Sequence, residues 1–239
     1  MTFSGQRVVI LGGTSGIGLA TAQASAKQGA SIVIASSQKA RVDDALATLP
    51  VGAQGHVLNL TDEQAVKAFF VALGSFDHLV FTAGEAPKLG RLMDTDIAAA
   101  QDFFRLRYWG AYMAAKYGCS HIRAGGSIVL TSGLAGERPR AGWSLAASVC
   151  SAMEGLTRAL AVELAPIRVN IVSPGMVKSP LWANMPESDR EALYRQTGDR
   201  LPVGHVGDVY QIAQAYLYLM QQTYGTGQVI GVDGGGALV

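Results

Sequence analysis

The sequence predicts an α/β fold in which a doubly wound, parallel sheet of seven strands carries helices on both faces. Three observations predict it. Seven short, β-rich apolar runs alternate with longer segments of helical pattern, as in strands joined by crossover helices. The runs are continuously apolar, as strands covered on both faces are. A glycine-rich bend, Gly12-Gly13-Thr14-Ser15-Gly16-Ile17-Gly18, joins the first run to the first helical segment.

The elements follow in order. The first strand is the run Val8-Val9-Ile10-Leu11 within residues 7–11, and the bend after it opens a helix over 16–28. The second strand is expected at 31–35, with a helix at 42–48; the third at 55–58, with a helix at 62–73. The fourth strand, at 78–82, precedes a long helical segment at 96–122. A fifth strand at 127–131 precedes a helix at 145–164, and a sixth at 168–172 precedes the longest insertion, 179–204. Pro180, Pro186 and Pro202 mark turns in that insertion, which is expected to hold a short helix near 187–197. A helix at 208–221 and a strand at 228–232 complete the chain. Right-handed crossovers wind these strands into one sheet, and insertions at strand carboxyl ends often cover a ligand crevice. The expectation is a single domain over 1–239, with 179–204 as a substrate lid.

Composition narrows the function. Of 239 residues, 49% are hydrophobic and 15% charged, which suits a buried sheet and not disorder. The net charge of +1 gives no reason to expect nucleic acid or an acidic membrane as a partner. Cys119 and Cys150 form no metal-ligand pattern, so no metal is expected, and they fit reduced intracellular thiols. The N-terminus does not read as a signal peptide and no apolar run is expected to span a bilayer, so the expected location is cytoplasmic.

Glycines at 12, 16 and 18 let the backbone turn tightly and approach a pyrophosphate, while the helix N-terminus supplies oriented N–H donors. The strand–bend–helix context makes this a dinucleotide-binding loop, not an ordinary tight turn. The spacing Gly-x-x-x-Gly-x-Gly resembles the short-chain dehydrogenase/reductase family. The resemblance covers nearly the whole chain and recurs in independent blocks in the right order. Leu79-Val80-Phe81-Thr82-Ala83-Gly84 is similar to the family's Asn-Asn-Ala-Gly segment, with Phe81 and Thr82 replacing the asparagines. The runs at 155–166, 168–175 and 226–235 resemble the family's fifth helix, its sixth strand with the Pro174-Gly175 turn, and its last strand. The resemblance implies a Rossmann fold, a small-molecule substrate, and a homodimer or homotetramer assembled through the long fourth and fifth helices, where Tyr108, Trp109, Tyr112 and Leu156 are outer apolar candidates.

The end of the second strand selects the nicotinamide cofactor, because an acid there repels a 2′-phosphate. The chain reads Ala35-Ser36-Ser37-Gln38-Lys39-Ala40-Arg41, with two hydroxyls and two cations and no acid, which suits NADP(H). Incidental charges on a solvated loop are the competing reading for Lys39 and Arg41. The cofactor set is completed by Thr14, Ser15, Ile17, Asn59, Leu60, Ala83, Gly84 and Val177, with Asn59 at the adenine edge and, by resemblance, Ser179 at the nicotinamide amide.

The resemblance implies a catalytic Asn, Ser, Tyr and Lys. In this chain those four positions hold Arg107, Gly133, Ala146 and Cys150. The register is fixed by Glu154-Gly155-Leu156-Thr157-Arg158, and no Tyr or Lys lies between Gly142 and Arg168. This puts the family's usual tyrosinate mechanism out of reach, although not hydride transfer, which belongs to the cofactor. Arg107 and Ser132 are the catalytic candidates. Arg107 either polarises a substrate oxygen or holds helix to loop as an ion pair; Ser132 either orients a substrate oxygen or is a strand-end hydroxyl. Gly133, Trp143, Ala146, Cys150 and Tyr194 are the pocket candidates, against packing for Trp143, a small filler for Cys150 and a surface ring for Tyr194. Three functions follow: an NADP(H)-dependent reductase of an activated carbonyl, a non-catalytic NADP(H)-binding sensor or scaffold, and a non-redox isomerase or cyclase. An open pocket favours chemistry, and a filled one favours the sensor.

Overall fold

In a computed structural model, residues 2–86 and 89–239 are described. The first strand, β1 (Arg7–Leu11), explains how the sheet takes a cover on each face. Its side chains alternate, so Val8 and Ile10 enter one apolar cluster and Val9 and Leu11 the other. The strands β2 (Ser31–Ser36), β3 (Gln54–Val57), β4 (Phe76–Phe81), β5 (Ile122–Thr131), β6 (Arg168–Pro174) and β9 (Val229–Val232) join it in one parallel sheet of order β3-β2-β1-β4-β5-β6-β9. Two short strands, β7 (Val177–Lys178) and β8 (Gly207–Asp208), pair with each other.

One face is covered by α1 (Gly16–Lys27), α2 (Lys39–Leu46) and α8 (Val209–Gln221), whose Ala22, Ala45 and Tyr216 meet Ile10, Ile34 and Val172. The other is covered by α3 (Glu63–Leu73), α5 (Ala111–Gly118) and α6 (Ser144–Glu163), whose Phe70, Ala115 and Met153 meet Leu11, Leu79 and Ile128. Asp62 caps α3 by accepting from the Ala65 amide, and Asp208 caps α8 in a reciprocal box with Gln211. The sheet order reverses between β1 and β4, which pair through Leu11 and Phe81 at their carboxyl ends. A crevice outside that switch point is where such sheets take ligands.

Several expectations change. The segment expected as one helix at 96–122 is α4 (Ile97–Phe104), a π-turn over Arg105–Gly110, α5, and a 3-10 turn over Cys119–His121. The π-turn adds a residue to the helical repeat and resets the face on which the following side chains project. Chain 122–131 is already strand, with a register irregularity against β4 between Phe76 and His78. Leu156 is a core residue and not an outer one, whereas Trp109 and Tyr112 are exposed, their rings 5.8 Å apart and tilted by 60°. The helix α6 does meet the length and hydropathy of a membrane span, at 20 residues and mean hydropathy 1.2, contrary to expectation. Its Met153, Leu156 and Leu160 nevertheless pack into the sheet's core. Residues 179–204 lie between β7 and β8 and contain α7 (Glu187–Gly198).

Candidate functional site

The bend after β1 is held open by close backbone contacts. Gly12 has φ +90°, and a Cβ there would lie 2.5 Å from the Ala83 nitrogen. A Cβ on Gly18 would lie 2.2 Å from the Gly12 carbonyl oxygen and 2.4 Å from Thr82 Oγ1. Thr82, which replaces an asparagine of the resembled motif, donates its hydroxyl to the Leu11 and Gly12 carbonyls at 3.3 and 3.2 Å. The bend, β4 and α1 are thus packed as tightly as three backbones allow. Gly16, with φ +53°, leaves room for a Cβ, which would make only ordinary contacts, 3.7 Å to Pro180 Cδ and 3.8 Å to Ser179 Cβ. Ser15 makes no side-chain cap bond, which leaves the first-turn amides of α1 to an anion.

From this bend a cleft of about 770 Å³ runs beneath residues 179–201. Its near end is lined by Gly12, Thr14, Ser15, Gly16, Ile17, Gly18, Ser36, Ser37, Asn59 and Leu60, and its middle by Ala83, Gly84, Pro174, Gly175, Val177 and Ser179. Gly133, Trp143, Ala146, Cys150, Arg107 and Ser132 line the far part. Two candidates are not brought in. Lys39 turns away to Asp43, 2.6 Å distant and one helical turn along α2, while Arg41 lines the cleft instead. Tyr194 is buried under α7 with Lys178 Nζ 5.7 Å from its ring centroid, so it is neither a surface ring nor among the lining residues. Its neighbours Leu193 and Thr197 face the cleft. The sequence reading also missed Phe103, Trp182, Arg138 and Arg140. The two arginines lie in the loop between β5 and α6, beyond the 3-10 turn Leu134–Gly136, and their place after a strand's carboxyl end was the available signal.

The four residues that the resemblance aligns with a tetrad, Arg107, Gly133, Ala146 and Cys150, all line the cleft. Ala146 and Cys150, one turn apart on α6, are both buried against the cleft. Burial pushes the Cys150 thiol up to about 11, with Arg107 pulling it only partly back. It is therefore a neutral thiol near pH 7. A Cβ on Gly133 would meet Cys150 Sγ at 3.4 Å, an ordinary contact, so packing does not forbid a serine's Cβ there. Ser132 extends the sheet through its amide to Val172 and donates its hydroxyl to Glu154 Oε1 at 3.2 Å. Behind it, Thr131 Oγ1 donates to the Phe81 carbonyl and lies 2.6 Å from the Tyr216 hydroxyl. Burial raises the Tyr216 phenol far above its usual range, so it is no proton donor for the cleft.

Arg107 projects from the π-turn and lies flat against Gly84, its Cζ 2.9 Å from where a Cβ would stand. It donates to the Glu85 carbonyl and sits over the Phe103 ring at 5.4 Å. Its Nε–H is buried without an acceptor among the described residues. Burial draws the guanidinium's pKa down while Cys150 and Glu85 hold it up, and its basicity keeps it charged. No ion pair of Arg107 occurs among the described residues, so the helix-to-loop salt bridge weighed above is not formed; the bond is to backbone.

The chain matches a family model described as enoyl-(acyl carrier protein) reductase over residues 12–236. It is 34% identical to the short-chain dehydrogenase/reductase ucsE of Acremonium sp, over 95% of this chain and 94% of that one. A solved small-chain dehydrogenase in complex with NADPH is 38% identical, with TM-score 0.84 over 98% of this chain and 99% of that one. The MalC reductase/Diels-Alderase from Malbranchea aurantiaca is 31% identical, with TM-score 0.92 over 99% of this chain and 98% of that one.

Proposed function

Because the chain belongs to the short-chain dehydrogenase/reductase family of oxidoreductases, we propose that it is an NADP(H)-dependent reductase of an activated carbonyl compound that works without a catalytic tyrosine. One observation carries the reading: the cleft stays open past Ala146 and Cys150, with the Arg107 guanidinium on its wall. An open site favours chemistry over a filled sensor.

The residues fit the cofactor. Free first-turn amides and the unobstructed face of Gly16 suit a diphosphate. Ser36, Ser37 and Arg41 suit a 2′-phosphate, and the similarity to an NADPH complex supports that choice. When bound, the cofactor supplies the hydride. Arg107 faces the substrate side and stabilises negative charge on the carbonyl oxygen, while its tightly held proton makes it an electrostatic partner and not an acid. Water entering the cleft supplies the proton. An intrinsically electrophilic carbonyl, such as a diketone or quinone, tolerates the missing acid. We read residues 179–204 as the substrate lid of a single domain.

The test is NADPH oxidation, followed at 340 nm, across diketones, quinones and simple ketones after NADPH binding has been verified. Turnover confined to activated carbonyls is the expected result; binding without turnover on any of them would overturn the reading. A second reading, a cyclase retaining its cofactor, is favoured by the likeness to a protein titled reductase/Diels-Alderase and by a cleft without a proton-transfer pair. Product formed without loss of NADPH absorbance separates it from the first.

A further inference from the structure

The far part of the cleft carries more positive than negative charge. Arg107, Arg138 and Arg140 line it, and Glu85 is the only acid among the described lining residues. None of the three arginines forms an ion pair among the described residues. Arg107 uses a backbone carbonyl and leaves Nε–H without an acceptor. Arg138 makes one long bond, 3.4 Å, to the Ala237 carbonyl. Arg140 stacks over Trp143, 5.7 Å from its ring centroid. Arg138 and Arg140 are exposed and Arg107 is half-buried, and an anionic ligand offers such guanidinium groups a charge-assisted, bidentate partner. The same cleft is also lined by the aromatic rings of Phe103, Trp143 and Trp182 and by Leu193.

Resting on the reductase reading, we propose that the substrate is a keto acid with a rigid aromatic or alicyclic body. The carboxylate is held at the rim by Arg138 and Arg140, and the ring system lies between Trp143 and Trp182. The reducible carbonyl points inward to Arg107. Reduction moves one hydride from the cofactor to the carbonyl carbon and one proton from water to its oxygen, and leaves the carboxylate untouched.

The test compares 2-naphthoate with 2-naphthamide, the same ring system with and without charge, by calorimetric titration of the NADPH-loaded protein. A charge-assisted contact predicts that naphthoate binds at least about tenfold more tightly at low salt. That advantage must shrink in 0.5 M salt. The double variant Arg138→Leu/Arg140→Leu must lose that advantage of acid over amide while still folding, as a cooperative thermal melt shows. Equal affinities for acid and amide, or an advantage that survives the double variant, would overturn the proposal. Failure of the reductase reading looks different: naphthoate is still preferred, yet no carbonyl compound consumes NADPH. Reduction of neutral diketones with no preference for acids leaves that reading standing and removes this one.

Discussion

Alanine at Gly16 and alanine at Gly18 separate two duties of one bend. At Gly18 the added methyl would stand 2.2 Å from the Gly12 carbonyl oxygen and 2.4 Å from Thr82 Oγ1. Carbon–oxygen contacts settle near 3.3–3.6 Å, so α1 must retreat by about 1 Å from the bend. The obstacle is backbone and cannot rotate away, which puts the loss at the upper end of overpacking, about 3 kcal/mol. At Gly16 the methyl meets nothing closer than Pro180 Cδ at 3.7 Å, and the penalty is that of φ +53°. A non-glycine residue there costs about 1–2 kcal/mol. The same methyl projects into the cleft beside the first-turn amides, where a diphosphate must approach. Losing one charge-assisted bond costs about 1.5–3 kcal/mol, or roughly 10- to 100-fold in Kd. Urea denaturation reads the first effect and NADPH fluorescence titration the second. Gly18→Ala is expected to lose mainly stability, and Gly16→Ala mainly affinity. Wild-type NADPH affinity in Gly16→Ala would refute the assignment of the bend as the diphosphate cradle.

Three further outcomes are expected. Arg41→Ala weakens NADPH about tenfold and leaves NADH unchanged, as removal of one charge-assisted contact to phosphate requires, whereas Lys39→Ala, whose ammonium is engaged by Asp43, changes neither titration. His78, buried beside Ser127 and Gln6, is held down to about 4, first by burial and then by Arg168, with Asp77 opposing; the unfolded chain takes up that proton near 6.5, so the stability contribution is intact above about pH 6.5 and falls as pH drops toward 4, by about 2 kcal/mol between pH 7.5 and 5. Urea denaturation at those two pH values must give a smaller loss for His78→Gln. Tyr194→Phe keeps wild-type turnover, because the buried ring is not among the residues lining the cleft, and a fall in kcat beyond threefold would place the phenol in the chemistry.

The bend and the strands were legible because each rests on local chemistry. A parallel strand buried on both faces is mostly apolar; Val8–Leu11 is so residue by residue, and Val169–Val172 departs from it only at Asn170, whose side chain donates to the Gly225 carbonyl and accepts from the Gln228 amide. What escaped depends on helix phase. Lys39 and Arg41 are equivalent cations in the sequence, but α2 begins at Lys39 and not at 42, and Gln38 provides no side-chain cap to announce it. That start places Lys39 one turn from Asp43 and leaves Arg41 to the cleft. Tyr194 escaped for a related reason: α7 is polar nearly throughout, and only Tyr194 and Gly198 on it are buried. Leu156 belongs to a helix whose inner face, Met153, Leu156 and Leu160, was read as partly outer.

Arg107 lines the cleft by a geometry the sequence conceals. A regular helix over 96–122 was expected to aim it at the site, whereas the observed path passes through a π-turn with Arg107 inside it. The extra residue matters because Phe103 must remain in the core while Arg107, four positions later, leaves the helix toward Gly84. On α6 the inverse holds. The register is regular, and Ala146, Cys150 and Glu154 follow one another at single-turn spacing. An ammonium is what the resemblance leads one to expect at the Cys150 position, and a cation does neighbour that thiol, supplied by Arg107 from the π-turn. A guanidinium replaces a point charge with a plane of five fixed donors and gives up ready proton exchange. Such a site is poor at protonating an alkoxide and good at holding an oxyanion. That shift in capability, more than the loss of any one residue, is why the chain is read as a reductase of carbonyls that need charge stabilisation and little acid catalysis.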